Sequence, residues 1–258
     1  MRTTHRRAAT GAAFGLIAMV AFALPAAAAT GSVQADLQPV AGNGVVGSGT
    51  AMVTVDGTML TVDMAATGLL ADQPHAAHIH FGADARHECP ALTDDTDGDG
   101  HLTTTEGGPA YGEIVVSLTK TGDTSPASGL AVDRFDTAPG GSLNYERGSI
   151  QVSEAVATEV QSGEAVVVIH GVDYNKDGKY SGDKKSDLNP ALPTEATDPA
   201  LCGVLKVSQM AAMPAGGVET GGGSTSGVEN VGLLAAGGLA LIGGAALIAH
   251  RRASGSQN

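Results

Sequence analysis

Three histidines within six residues, and a fourth far downstream, are the residues best able to do chemistry in this chain. The first group reads His75-Ala-Ala-His78-Ile-His80, and the second lies at the end of Val166-Val-Val-Ile-His170. On a strand, side chains two residues apart share a face, so His78 and His80 form half of a ready imidazole site. Neutral imidazole suits copper and zinc, and His170 ends an apolar strand that could supply a third ligand. His75 and His87 are candidates for a fourth ligand or for a place behind the first set.

A second chemistry resides in acidic loops. Asp95, Asp97 and Asp99 fall at positions 1, 3 and 5 of a twelve-residue frame, Gly100 at 6, His101 at 7 and Glu106 at 12. That spacing is the one used for Ca2+, which takes six to eight oxygens and a bidentate glutamate at the end. In this frame His101 offers its backbone carbonyl. Pro90 before the loop and Gly107-Gly108-Pro109 after it predict a calcium-stapled loop without flanking helices. A second frame places Asp173, Asn175, Asp177 and Lys179 at positions 1, 3, 5 and 7, but Lys184 at 12. Asp183 or Asp187 would have to close it.

These residues need a scaffold, and its pattern is β. Residues 50–56 alternate, Gly57 turns, and 59–64 alternate back as a hairpin. Further strands are expected at 114–118, 149–152, 165–170 and 203–207, with Gly and Pro between them. One helix is predicted, capped by Ser153, with Glu154 in its first turn and Gly163 beyond its end. With no Trp and four Phe, the core is built mainly of Val, Leu, Ile, Ala and Met.

The termini predict export. Residues 1–29 combine Arg-rich start, apolar run and small residues at Ala27 and Ala29, the form of a signal peptide. The domain then spans 30–212, and a Gly/Ser/Thr-rich stalk 213–230. Residues 231–249 are uncharged and cover about 30 Å as a helix, enough to cross a bilayer. The tail 250–258 begins His250-Arg251-Arg252, which keeps it on the cytoplasmic side. The expected location is the outer face of the cell membrane. No Leu-Pro-x-Thr-Gly motif marks wall attachment, and the extracellular partner is unknown.

Nine of the 14 Lys/Arg and all 27 Asp/Glu lie within 30–230, which leaves that part 18 charges negative. Such a charge disfavours nucleic acid and anionic lipid and suits divalent cations. The two cysteines, Cys89 and Cys202, face an oxidising compartment, where one disulfide is the default. Closing a loop of about 110 residues stabilises by roughly 4 kcal/mol in the chain-entropy picture.

His-x-His, a cysteine within ten residues, an apolar run ending in histidine, and Cys202-Gly-Val occur here in the order seen in copper/zinc superoxide dismutase, which residues 45–207 resemble. The resemblance implies copper on His78, His80 and His170 and a Cys89–Cys202 disulfide. The zinc half of that family's pattern is not found, and Pro199 stands where the family has its anion-guiding arginine. The chain more closely resembles the CHRD-type domain of secreted bacterial proteins, through Gly-Ser-Gly-Thr-Ala-x-Val-Thr-Val (47–55), Leu-Thr-Val (60–62) and His-x-x-His-Ile-His (75–80). That implies an all-β, Greek-key-type β-sandwich with long metal-binding loops. Three functions follow as expectations: a metal-binding or structural module without turnover, a copper-dependent superoxide dismutase, or an adhesion module without metal chemistry.

Overall fold

A computed structural model describes residues 30–207. The predicted signal peptide, stalk, span and tail lie outside the described residues. Among the described residues no helix is long and apolar enough to cross a membrane.

In chain order the elements are β1 (Thr30–Pro39), β2 (Ser48–Asp56), β3 (Met59–Thr67), β4 (Pro74–His75), β5 (Ala77–Phe81), α1 (Thr104–Tyr111), β6 (Glu113–Ser117), β7 (Asp136–Thr137), β8 (Ser142–Gln151), α2 (Glu154–Gln161), β9 (Val166–His170), β10 (Pro199–Val204) and β11 (Lys206–Val207). Nine of the strands form one antiparallel sheet in the order β6-β5-β9-β10-β1-β2-β3-β8, with β11 also on β1, and β4 pairs with β7 alone. Most of β1 pairs with β2, whereas its last residues, Gln38 and Pro39, pair with Leu201 and Cys202 of β10. The sheet therefore curls about β1 into two facing halves.

Alternation explains the first half. In β2 and β3 every second residue is buried, among them Ala51, Val53, Val55, Leu60, Val62 and Met64. Their register, Asp56 opposite Met59, leaves a two-residue turn with Gly57 at φ +61°. α2 is capped as predicted by Ser153, whose Oγ accepts from Val156 N, and it buries Ala157 and Val160 in the same core.

The second half is buried on both faces. Ala77 and Ile79 of β5 and Val167 and Ile169 of β9 point into the main core. The opposite face of β9 carries Val166 and Val168, which join Val40, Leu102, Tyr111 and Cys202 in a smaller cluster. His78 and His80 share that outer face, and His170 is next in its alternation after Val166 and Val168. Long loops close over it. The Cys89–Cys202 disulfide, Cα–Cα 5.7 Å, ties one of these loops to β10.

α1 corrects the expectation of a calcium loop without a following helix. Thr103 and Glu106 form a reciprocal capping box, each side chain meeting the other's backbone N–H. That start outweighs the helix-weakening Gly107, Gly108 and Pro109. Gly107 is required for packing, because a Cβ there would lie 2.5 Å from the Tyr111 ring.

Candidate metal centre

β5 and β9 are adjacent and antiparallel, with His78 opposite Val168 and His80 opposite Val166. This register brings His170 beside the His78-x-His80 pair. All three rings are 2–3 % exposed, and one nitrogen from each lies within 4.8 Å of the others.

The remaining nitrogens define the tautomers. His78 Nε2–H donates to the Gly129 carbonyl at 3.0 Å, His80 Nδ1–H to the Gly112 carbonyl at 3.0 Å, and His170 Nδ1–H to the Thr197 carbonyl at 2.6 Å. Each donation leaves the second nitrogen as a lone-pair acceptor. Those atoms, His78 Nδ1, His80 Nε2 and His170 Nε2, are buried without a hydrogen-bond partner among the described residues. An unsatisfied buried polar atom costs about 1–3 kcal/mol, so three aimed at one place call for a common partner. A metal ion fits this donor set: three neutral imidazoles, each oriented from behind by a backbone carbonyl.

Electrostatics keeps the rings neutral. Burial lowers the His80 pKa to about 3, with the neighbouring His170 charge adding to the effect. Burial lowers His170 to about 4, and burial together with His170 and His80 holds His78 well below the usual imidazole value. Neutral imidazole is the form that ligates. The three rings line a cavity of about 780 Å3, so an ion held there would keep a position open to it.

Glycine positions two of the supporting carbonyls. Gly112 has φ +88°, and a Cβ there would lie 2.6 Å from the Phe81 carbonyl carbon. A Cβ on Gly129 would meet Ile114 Cδ1 at 2.7 Å.

The other predicted histidines lie outside the cluster. His75 is buried behind it, with Nδ1 2.8 Å from the His170 carbonyl and Nε2 3.0 Å from the Leu70 carbonyl. It braces the ligand strand through its backbone. His87 stacks on Phe81 and donates from Nε2 to the Gly82 carbonyl at 2.8 Å. Neither joins the cluster: His75 turns its two ring nitrogens to the His170 and Leu70 carbonyls, and His87 turns its own to the Gly82 carbonyl and the Glu164 carboxylate.

The first acidic loop folds around its own carboxylates. Asp95 accepts from Gly98 N and Gly100 N, Asp97 from Asp99 N, and Asp99 from His101 N. Oxygens of Asp95, Asp97 and Asp99 lie within 4.8 Å of one another. Glu106 accepts from Thr96 N at 2.8 Å and caps α1. His101 packs on Tyr174 and bonds to the Gly42 carbonyl. Lys184 pairs with Asp99 and approaches Asp97 at 3.8 Å, linking the two acidic loops.

In the second loop Asp173 accepts from Asp177 N and Gly178 N, Asn175 also from Asp177 N, and Asp177 from Lys179 N. Glu195 ties the ends of this loop together, accepting from Tyr174 N at 2.9 Å and Ser181 N at 2.7 Å. Of the two carboxylates expected to close this frame, Asp187 accepts from Thr105 N. Glu195 does for Tyr174 what Glu106 does for Thr96, but it comes from a separate segment and lies outside any linear frame. The carbonyls of Gly112, Gly129 and Thr197 were equally hidden, since no side-chain type marks them.

No family model matches the chain, and no curated protein matches it. Among solved structures it is similar to a glutamate-to-glutamine mutant of Candida albicans superoxide dismutase 5, at 15% identity and a TM-score of 0.36, covering 69% of this chain and 92% of that one.

Proposed function

We propose that this is an exported domain that holds one copper or zinc ion on His78 Nδ1, His80 Nε2 and His170 Nε2, as a metal-binding module of the CHRD type. The observation that carries the reading is the convergence of three buried, partnerless imidazole nitrogens whose tautomers are already set. The bound ion would supply Lewis acidity or, if copper, one-electron chemistry at its open position. The chain's own residues supply orientation through three backbone carbonyls, neutrality through burial, and limited access through one cavity. The disulfide supports an oxidising location. The apolar stretch 231–249, outside the described residues, supports a membrane tether.

Ca2+ in the first acidic loop is a second part of the same reading. It is supported by the convergence of Asp95, Asp97 and Asp99 and by the frame that ends in Glu106.

The test is elemental analysis of the full chain after exposure to Cu2+, Zn2+ and Ca2+ and desalting. The expected result is about one transition-metal ion per chain, retained by the parent protein and lost from His78→Ala and His170→Ala. A parent protein that retains neither copper nor zinc refutes the reading.

A further inference from the structure

The cavity over the three imidazoles is far larger than a diatomic or triatomic ligand needs. Its volume of about 780 Å3 lies in the range of pockets that enclose small organic molecules. Much of its wall is apolar, formed by Pro109, Ile114, Pro126, Leu130, Val132 and Leu188. Leu130 and Val132 are each 39 % exposed and Leu188 is 45 % exposed, so the mouth presents large aliphatic side chains that no other described residue covers.

The charges at this mouth have one sign. Asp84 and Glu113 line the cavity, and no lysine or arginine does. The nearby arginines are committed elsewhere. Arg86 pairs with Glu88 and Asp94, and Arg134 donates to the Asp123 carbonyl and Ser128 Oγ. Lys184 is held by Asp97 and Asp99. An anion drawn to a divalent ion on three neutral imidazoles would meet Asp84 and Glu113, whose charges offset that of the ion, and no cationic side chain. An uncharged donor with an apolar body avoids the two carboxylates' repulsion and gains contact with the aliphatic wall.

We propose that the cavity selects an uncharged organic molecule with an apolar, ring-sized body as the ligand at the metal's open position, and that its two carboxylates weaken the binding of small anions there. The inference rests on the metal reading above. It assigns Leu130, Val132 and Leu188 to the recognition of the apolar body, and Asp84 and Glu113 to the weakening of anion binding.

The experiment titrates the Cu2+-loaded full chain with imidazole, 4-phenylimidazole and azide, read by the copper electron paramagnetic resonance and visible spectra. Imidazole and 4-phenylimidazole present the same donor nitrogen, so their difference reports the cavity wall. Burying the phenyl ring is expected to tighten binding by at least about tenfold over imidazole. The double variant Leu130→Ala, Leu188→Ala should shrink that advantage several-fold, read as the ratio of the two affinities. Both positions are exposed, so the fold should tolerate the change. The double variant Asp84→Asn, Glu113→Gln should raise azide affinity by about threefold. 4-Phenylimidazole binding no tighter than imidazole, with copper retained, overturns this inference and leaves the metal reading standing. Failure to retain copper overturns both.

Discussion

Acidifying the metal-free protein from pH 7 to pH 5 tests whether the imidazole cluster is truly held neutral. In the fold His80 titrates at about 3 and His170 at about 4, burial being the largest cause in each, and His78 lies well below the ordinary value. In the unfolded chain each returns to about 6.5. Between about pH 4 and pH 6.5 the unfolded state therefore binds more protons than the native state. Stability rises with pH across that window and is lost as acid is added. From pH 7 to pH 5 each unfolded imidazole is favoured by about 2 kcal/mol of proton binding that the native state lacks. His80 and His170 together contribute roughly 4 kcal/mol, and His78 adds in the same direction. Asp198 opposes them: burial raises its pKa to about 7, so its native carboxyl takes up a proton in this window and returns about 2 kcal/mol. The net loss is at least about 2 kcal/mol, against a total stability of about 5–15 kcal/mol for an ordinary domain.

Urea denaturation in a chelator at the two pH values measures it. The expected result is a lower midpoint at pH 5 with an unchanged slope. His80→Leu, which removes one titrating ring, should reduce the pH dependence by about 2 kcal/mol. Saturating Zn2+, at a thousandfold excess over its dissociation constant, should add about 4 kcal/mol at both pH values, because the bound rings have little proton competition above pH 4. A midpoint that does not move between pH 7 and pH 5 would refute the reasoning, since it would mean that the rings are solvated or already charged in the native state.

Three other outcomes follow from particular contacts. Replacing Cys89 and Cys202 together by alanine should cost about 4–5 kcal/mol for a loop of 113 residues, seen as a lower melting temperature that matches the parent protein in reductant. Lys184→Met should strengthen Ca2+ binding to the first acidic loop by about threefold in calorimetry, because Lys184 now occupies Asp97 and Asp99; unchanged or weaker binding would place the ion elsewhere. Asn43→Ala should destabilise by about 2–3 kcal/mol, because its buried amide bonds to Leu102 N, Leu102 O and Pro199 O; a melting temperature within a degree of the parent would show that water replaces it.

Where a strand has one wet face, its period can be read from the sequence. β2, β3 and their turn obey this rule, since each buried valine or leucine is followed by a polar or small exposed residue. β1 has the same period in Val33, Ala35 and Leu37, but its intervening Gln, Asp and Gln are weak strand formers, so composition hides it. β5 and β9 lose the rule altogether, because loops cover their outer face and every residue from Val166 to His170 is buried. α1 was obscured for the opposite reason. Its interior carries two glycines and a proline, and only the capping pair Thr103 and Glu106 announces it.

The same distinction separates the parts of the site. His78, His80 and His170 carry their chemistry in their side-chain type, and two of them share a strand face by simple parity, so sequence identifies them. What turns three histidines into a donor set is backbone: the carbonyls of Gly112, Gly129 and Thr197 take one N–H each and thereby direct the other nitrogen inward. Those carbonyls come from three loops separated by up to 85 residues, and any residue type provides a carbonyl. Only the glycines leave a trace, because Gly112 and Gly129 stand where a Cβ would collide with Phe81 and Ile114. Gly112→Ala therefore separates the two contributions. It leaves all three imidazoles in the chain but displaces the acceptor that sets the His80 tautomer. Metal affinity should fall by about 10–100-fold, the range for loss of an outer-shell partner, while the spectrum of the remaining bound copper changes. Affinity equal to the parent protein would show that the rings alone define the site.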